Sequence, residues 1–337
     1  MEIGRKKSLI GSALLVLTAL VWGLGFVAQS AGSENIGPYT FTSVRFILAS
    51  FALLIVIFIK DKFSKTKPQM TVEEKRKSRK LVWISGIIVG TLLCVAANLQ
   101  QVGISMGASS GKAAFLTATY IILVPIISLL IFRKKCSFTV WIGVIVSLGG
   151  LYLLCMSESF SFEVSDIVLL ACALAFAFQI MAIDYYAPKV DAIKMSCIEF
   201  LVCGVISAIP MFILELGADP AAWASSLSTM DSWLPILYAG VISGGVGYTL
   251  QAVVQKDVPP ARASLIMCFE SVFGALFGWI ILGQNMSTRE IIGSVLMFIA
   301  IVVAQLEIKI TRKKHRTLCF LFWKFNFKLR HNYCYKH

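Results

Sequence analysis

Histidine is missing from most of the chain: His315, His331 and His337, all near the C-terminus, are the three that occur. An imidazole metal site or imidazole base in the body of the protein is thereby excluded. Nine cysteines are present, but no C-x-x-C spacing occurs. Cys94, Cys155, Cys172, Cys197, Cys203 and Cys268 fall inside apolar runs. They read as free thiols acting as small apolar side chains, not as a disulfide or zinc framework. The G-x-x-x-x-G-K-[ST] phosphate loop is absent, which argues against ATP as an energy source. Gly107-Ala108-Ser109-Ser110-Gly111 fits the G-x-S-x-G hydrolase spacing. It follows no strand and has no histidine to serve it, so it is not a nucleophile elbow. No cofactor is expected.

Charge is also scarce, at 15% of residues, while hydrophobic residues make up 58% and the mean hydropathy is +0.81. Soluble domains are usually about 45–50% apolar. Ten apolar windows stand out, at residues 9–30, 39–59, 81–102, 111–132, 138–156, 164–186, 194–215, 233–254, 260–283 and 289–309. Each approaches the ~20 residues a helix needs to cross a bilayer. Lipid requires backbone groups to be satisfied within the segment, so the windows are expected to be helices. The first follows Arg5-Lys6-Lys7 but is too long for a cleavable leader.

The net charge of +13 is unevenly placed and does not point to nucleic acid. If the N-terminus is cytoplasmic and the spans alternate, 28 of the 31 Lys and Arg residues fall on the inside; Arg45, Lys112 and Arg289 are the exceptions. This follows the positive-inside rule and predicts a multi-pass cell-membrane protein with both termini in the cytoplasm.

Spans 3–5 map on spans 8–10 at an offset of 150: Trp83 meets Trp233, Gly90 meets Gly240, and Ile142-Gly143 meet Ile292-Gly293. Spans 1–2 map on spans 6–7 at an offset of 154, where Arg45-Phe46 meet Glu199-Phe200. Five spans per repeat is an odd number, so the two repeats are expected to be inverted in the membrane. Inverted repeats around a midplane site characterise transporters. The expected organisation is a cytoplasmic N-terminus (1–8), a first repeat (9–156), a second repeat (164–309) and a basic-aromatic tail (310–337) suited to the inner leaflet.

Glu270 is a lone carboxylate in a long apolar helix, and Tyr120 is its counterpart at the 150 offset. An ionisable group at that depth is costly and is by default functional. Glu270 is a candidate to clamp a substrate amine or carry a proton; the competing reading is a structural pair, with Arg45 for example. Asn98, Gln101 and Ser105 share a helix face, as do Tyr248, Gln251 and Gln255. The two stripes suit opposite walls of a cavity, or hydrogen bonds that only hold helices together. Lys112 opens span 4 at the outer side, as an anion-attracting mouth or a snorkelling amine. Trp22 is an aromatic candidate for the same cavity. Arg45 and Glu199 read as helix-packing or interfacial residues.

Trp22-Gly23, Arg45-Phe46, Pro125 and the stretch from Ala263 to Gly274, with Glu270-Ser271-Val272-Phe273, resemble the EamA branch of the drug/metabolite transporter superfamily. The resemblance covers residues 9–306. Ser271 and Gln284 depart from it, standing where the family usually has proline and glutamate. It implies a carrier of small polar metabolites, often an exporter of amino acids or related compounds. The expected function is therefore a secondary transporter, exporting by alternating access, with proton coupling open. The other class, a membrane receptor or intramembrane enzyme, lacks a signalling domain or catalytic constellation to carry it. Oligomeric state is not encoded in any pattern found.

Overall fold

The computed structural model describes residues 2–63, 71–108, 110–134, 136–155, 163–282 and 287–305. The basic-aromatic tail and Gln284 lie outside these residues. All regular structure among the described residues is helical. The helices are α1 (Glu2–Ser33), α2 (Pro38–Phe63), α3 (Val72–Ser105), α4 (Ser110–Ala118), α5 (Tyr120–Leu130), α6 (Phe138–Cys155) and α7 (Val164–Tyr186). They continue with α8 (Ala192–Pro210), α9 (Pro220–Ser226), α10 (Met230–Leu237), α11 (Thr249–Gln255), α12 (Pro260–Met267), α13 (Glu270–Leu282) and α14 (Thr288–Gln305). π-helical turns at Met211–Leu216 and Tyr238–Tyr248 extend α8 and join α10 to α11. Among the described residues, eight helical segments are long and apolar enough to cross a membrane, and Phe138–Leu154 is a shorter apolar helix.

Polar residues set the helix starts. Thr71 and Glu74 form a capping box ahead of α3. Asp191 accepts from the amides of Ile193 and Lys194 at the start of α8. Burial pushes the Asp191 carboxyl up, but the Lys60 ammonium and those two amides outweigh it and hold it below its ordinary value. That clamp is present at neutral pH and is lost as acid protonates Asp191.

Two crossings are interrupted at equivalent places. α4 and α5 meet at Thr119, whose hydroxyl donates to the Leu116 carbonyl. α12 and α13 meet at Cys268 and Phe269, where Phe269 N–H bonds Ile266 O and Ser271 N–H bonds Cys268 O. These i to i−3 bonds tighten the turn and end the α-helical ladder. Tyr120 and Glu270 are the first residues after the two breaks.

Glycines bring helices into backbone contact. A Cβ on Gly86 or Gly90 of α3 would strike Ile198 or the Glu199 carbonyl of α8. On α6, a Cβ on Gly150 would run into Gly293 O of α14. Gly150→Val is expected to destabilise the protein by about 1–3 kcal/mol, the usual range for overpacking. Gly149→Ala, at a glycine with nothing within 4 Å of the added carbon, is the control expected to be silent. Thermal unfolding in detergent, followed by size-exclusion fluorescence, compares the two; equal midpoints would mean the α6–α14 seam can open without loss.

α2 and α8 are fastened along their length. Ser43 and Ser50 hydroxyls donate to Gly204 O and Cys197 O, each at 2.9 Å. Lys60–Asp191 and Lys194–Asp61 pair at one end, at 3.0 and 2.9 Å. At the other end Glu215 accepts from the amides of Tyr39 and Thr40, the place where a helix start favours an anion.

Candidate functional site

Polar side chains from several helices converge on an internal cavity. α1 supplies Trp22 and Gln29, α2 Arg45, α3 Gln100, α4 Thr117 and α5 Tyr120. α7 supplies Gln179, the second π-helical segment Ser243 and Tyr248, α11 Gln251 and α13 Glu270. Room for the centres of water molecules amounts to about 30 Å³.

Local sequence explains how the reactive groups are presented. Each helix break frees the turn that starts at Tyr120 or Glu270, and the Tyr120 hydroxyl donates to Glu270 Oε1 at 3.3 Å. Gly23 lets α1 lie directly on α13 there, since a Cβ would meet Glu270 O and Phe273. Gly247 likewise makes room for the Trp22 indole, which donates to Ser243 O at 3.3 Å and packs on the Tyr248 ring with centroids 4.6 Å apart. Phe46 and Phe200 complete an aromatic wall around Tyr248.

The polar wall is short of partners. The side-chain oxygens of Gln29, Gln179 and Gln251 are buried without a hydrogen bond among the described residues, as is Arg45 Nε. Asn98, Gln101 and Gln255 carry an equally unmet oxygen at helix contacts; those of Gln29, Gln179 and Gln251 differ in facing the cavity, where a polar solute or water can meet them. Behind the cavity, Gln179 donates to Glu199 at 2.9 Å.

Of Trp22, Asn98, Gln101, Lys112, Tyr120, Tyr248, Gln251 and Glu270, the substrate-site candidates read from the sequence, Trp22, Tyr120, Tyr248, Gln251 and Glu270 line this cavity. The other three stand elsewhere. Asn98 donates to Ser207 of α8 at 2.7 Å and to its own helix at Cys94 O. Gln101 donates to Gln29 O at 3.3 Å and ties α3 to α1. Lys112 sits 2.9 Å from Asp166 and 3.9 Å from Glu163, which joins α4 to the start of α7. The polar stripe of α3 therefore faces neighbouring helices, and Gln100, outside that stripe, is the α3 residue at the cavity. Gln255 donates to Ile180 O and fastens α11 to α7.

The sequence passes over Gln29, Gln100, Thr117 and Gln179, each a polar side chain within an apolar run, which is the signal that finds them. Arg45, expected in packing or at an interface, lines the cavity instead. It makes none of the ion pairs found among the described residues, and the partner of Glu270 is Tyr120. Among the described residues no three His, Cys, Asp or Glu side chains gather as metal ligands.

The model of the EamA-like transporter family matches this sequence twice, over residues 9–156 and 164–306. The chain belongs to the EamA-like transporter family. As a member of it, the protein is a multi-pass membrane transporter of a small molecule. Relatives include an uncharacterized transporter of Archaeoglobus fulgidus, 24% identical over 90% of this chain and 88% of the relative. The uncharacterized transporter YoaV of Bacillus subtilis is 22% identical, over 84% of this chain and 92% of its own. A WAT1-related protein of Arabidopsis thaliana is 24% identical, over 83% and 79%. A solved crystal structure shares the fold with a TM-score of 0.70 at 16% identity, over 88% of this chain and 98% of that one. In this EamA-like transporter both matched segments feed the cavity, Trp22 and Tyr120 from the first and Tyr248, Gln251 and Glu270 from the second.

Proposed function

We propose that the protein is a secondary transporter that exports a small polar, amino-acid-like metabolite across the cell membrane by alternating access. Ten crossings form two inverted five-helix repeats, with both termini in the cytoplasm. The observation that carries this reading is the meeting of Tyr120 and Glu270 at 3.3 Å. They are 150 residues apart, each follows a helix break, and both line a cavity walled by the two matched segments. Its size supports a moving mechanism. A buried water takes roughly 10–15 Å³ by the same measure, so about 30 Å³ holds a few waters and no metabolite. A solute enters only if the helices part on one side. Glu270 is the group that carries a proton or holds a substrate amine, in keeping with an ionisable side chain at that depth.

Two results test this. Epitope tags inserted at residue 70 and at the C-terminus are expected to report cytoplasm, and a tag near Asp219 the outside. A C-terminal tag on the outside would remove the inverted-repeat arrangement. In proteoliposomes, Gln251→Leu is expected to reduce counterflow about fivefold with the fold intact, the effect of one lost hydrogen bond of ~1 kcal/mol to solute. Gln101→Leu, at the α1–α3 contact, is expected to lower the unfolding temperature more than the transport rate. The reverse pattern would put the solute elsewhere.

A further inference from the structure

Among the described residues, Arg45 is a buried cation with no carboxylate beside it. It lies seven residues into α2, roughly 10 Å along the helix, and is 4% exposed. No carboxylate pairs with its guanidinium among the described residues, and its Nε has no hydrogen-bond partner. What holds it is aromatic: Cζ lies 5.3 Å from the Phe41 ring centroid and 4.8 Å from that of Phe46. Both rings are fully buried. Its backbone is fixed as well, because the Arg45 carbonyl packs on Gly240, where any Cβ would collide with it. Aromatic faces steady a guanidinium without using its N–H donors. The side chain is therefore positioned and still available to a ligand, and it lines the cavity.

A full charge inside an apolar bundle is retained where it pairs or where a substrate passes. We infer that Arg45 is the anion anchor of the cavity and takes a carboxylate group of the transported solute, side-on through Nε and one Nη. This rests on the transport function proposed above and assigns one end of the solute. A single guanidinium with Glu270 on the same cavity suits a monoanionic carboxylate better than a phosphate dianion, whose second charge nothing here would meet. The planar fork of arginine matches a carboxylate in two parallel hydrogen bonds. The unpartnered oxygens of Gln29, Gln179 and Gln251 accept hydrogen bonds and suit the solute's N–H or O–H groups.

The test uses acetate, a carboxylate head with a single methyl group, with acetamide and chloride as comparators at equal concentration and ionic strength. For the purified full-length protein in detergent, acetate is expected to raise the unfolding midpoint by about 2 °C or more over both comparators, by mass action on the folded state. Arg45→Lys is expected to keep part of the shift and Arg45→Gln none. Equal midpoints in acetate and acetamide, or in acetate and chloride, would overturn the assignment, as would a full acetate shift in Arg45→Gln. If Arg45→Gln does not fold, the wild-type comparison decides alone. A parallel measurement separates this inference from transport itself: efflux of cell-extract metabolites from proteoliposomes, read by mass spectrometry. Wild-type efflux restricted to carboxylates supports the anchor, and efflux of neutral or purely cationic compounds overturns it. No efflux of any compound counts against the transport reading, and the acetate shift then still decides whether Arg45 binds carboxylates.

Discussion

Glu270→Gln is expected to leave the protein folded and monodisperse while cutting counterflow in proteoliposomes about ten- to hundredfold. The substitution keeps the shape and the acceptor that Tyr120 uses at 3.3 Å. It removes only the charge and the exchangeable proton. A hydrogen bond to a charged group contributes about 1.5–3 kcal/mol, and each ~1.4 kcal/mol is a factor of ten. Any stimulation by a pH gradient is expected to disappear in the same variant, because no other acidic side chain among the described residues lines the cavity. Tyr120→Phe removes a weaker, neutral donor and is expected to cost about fivefold, ~1 kcal/mol. Wild-type counterflow with unchanged pH dependence in Glu270→Gln would take the role from this residue. A variant that loses thermal stability instead would make the carboxylate a structural group.

The other large effect is at the α4–α7 junction. Asp166 is wholly buried, and Lys112 keeps 16% of its side chain exposed. Their 2.9 Å contact lies outside hydrogen-bond geometry at Asp166 Oδ1, so it is an ion pair held by charge. The other carboxylate oxygen accepts from Glu163 N–H at the start of α7. Lys112→Ala leaves a buried carboxylate without that cation and is expected to destabilise the protein by ~3 kcal/mol, the scale for breaking a buried pair. Asp166→Asn in the same chain is expected to restore most of the loss. Thermal unfolding of the two single variants and the double variant reads the coupling directly. Simple additivity would mean the two groups do not stabilise each other.

Lys112 also shows where sequence reasoning stops. Its place at the head of an apolar run is legible, but its acidic partner is more than fifty residues away and becomes a neighbour only when α4 packs on α7. The α3 stripe has the same limit. Asn98, Gln100 and Gln101 all interrupt an apolar run, yet a helix bundled on several sides has no single inner face. Which amide meets solute and which meets Ser207 or Gln29 depends on the rotation of α3 against α1 and α8. The long apolar helices and the equivalence of Tyr120 with Glu270 could be read because both depend on positions along the chain. The placement of Arg45 could not, because burial of a cation between Phe41 and Phe46 beside a solute cavity is a property of three-dimensional packing.

The bonding of α2 to α8 has a consequence in time. α2 ends at Phe63 and α8 begins at Ala192, so 128 residues are synthesised between them. At roughly 5–20 residues per second, α2 waits about 6–26 seconds in the membrane before its partner emerges. During that interval Ser43, Ser50 and Arg45 lack the neighbours that later bury them, and Glu215, which caps the start of α2, arrives later still. An insertion chaperone that shields this one helix would therefore act between the second and the seventh apolar window, and slower synthesis would lengthen the exposure of Arg45 to lipid.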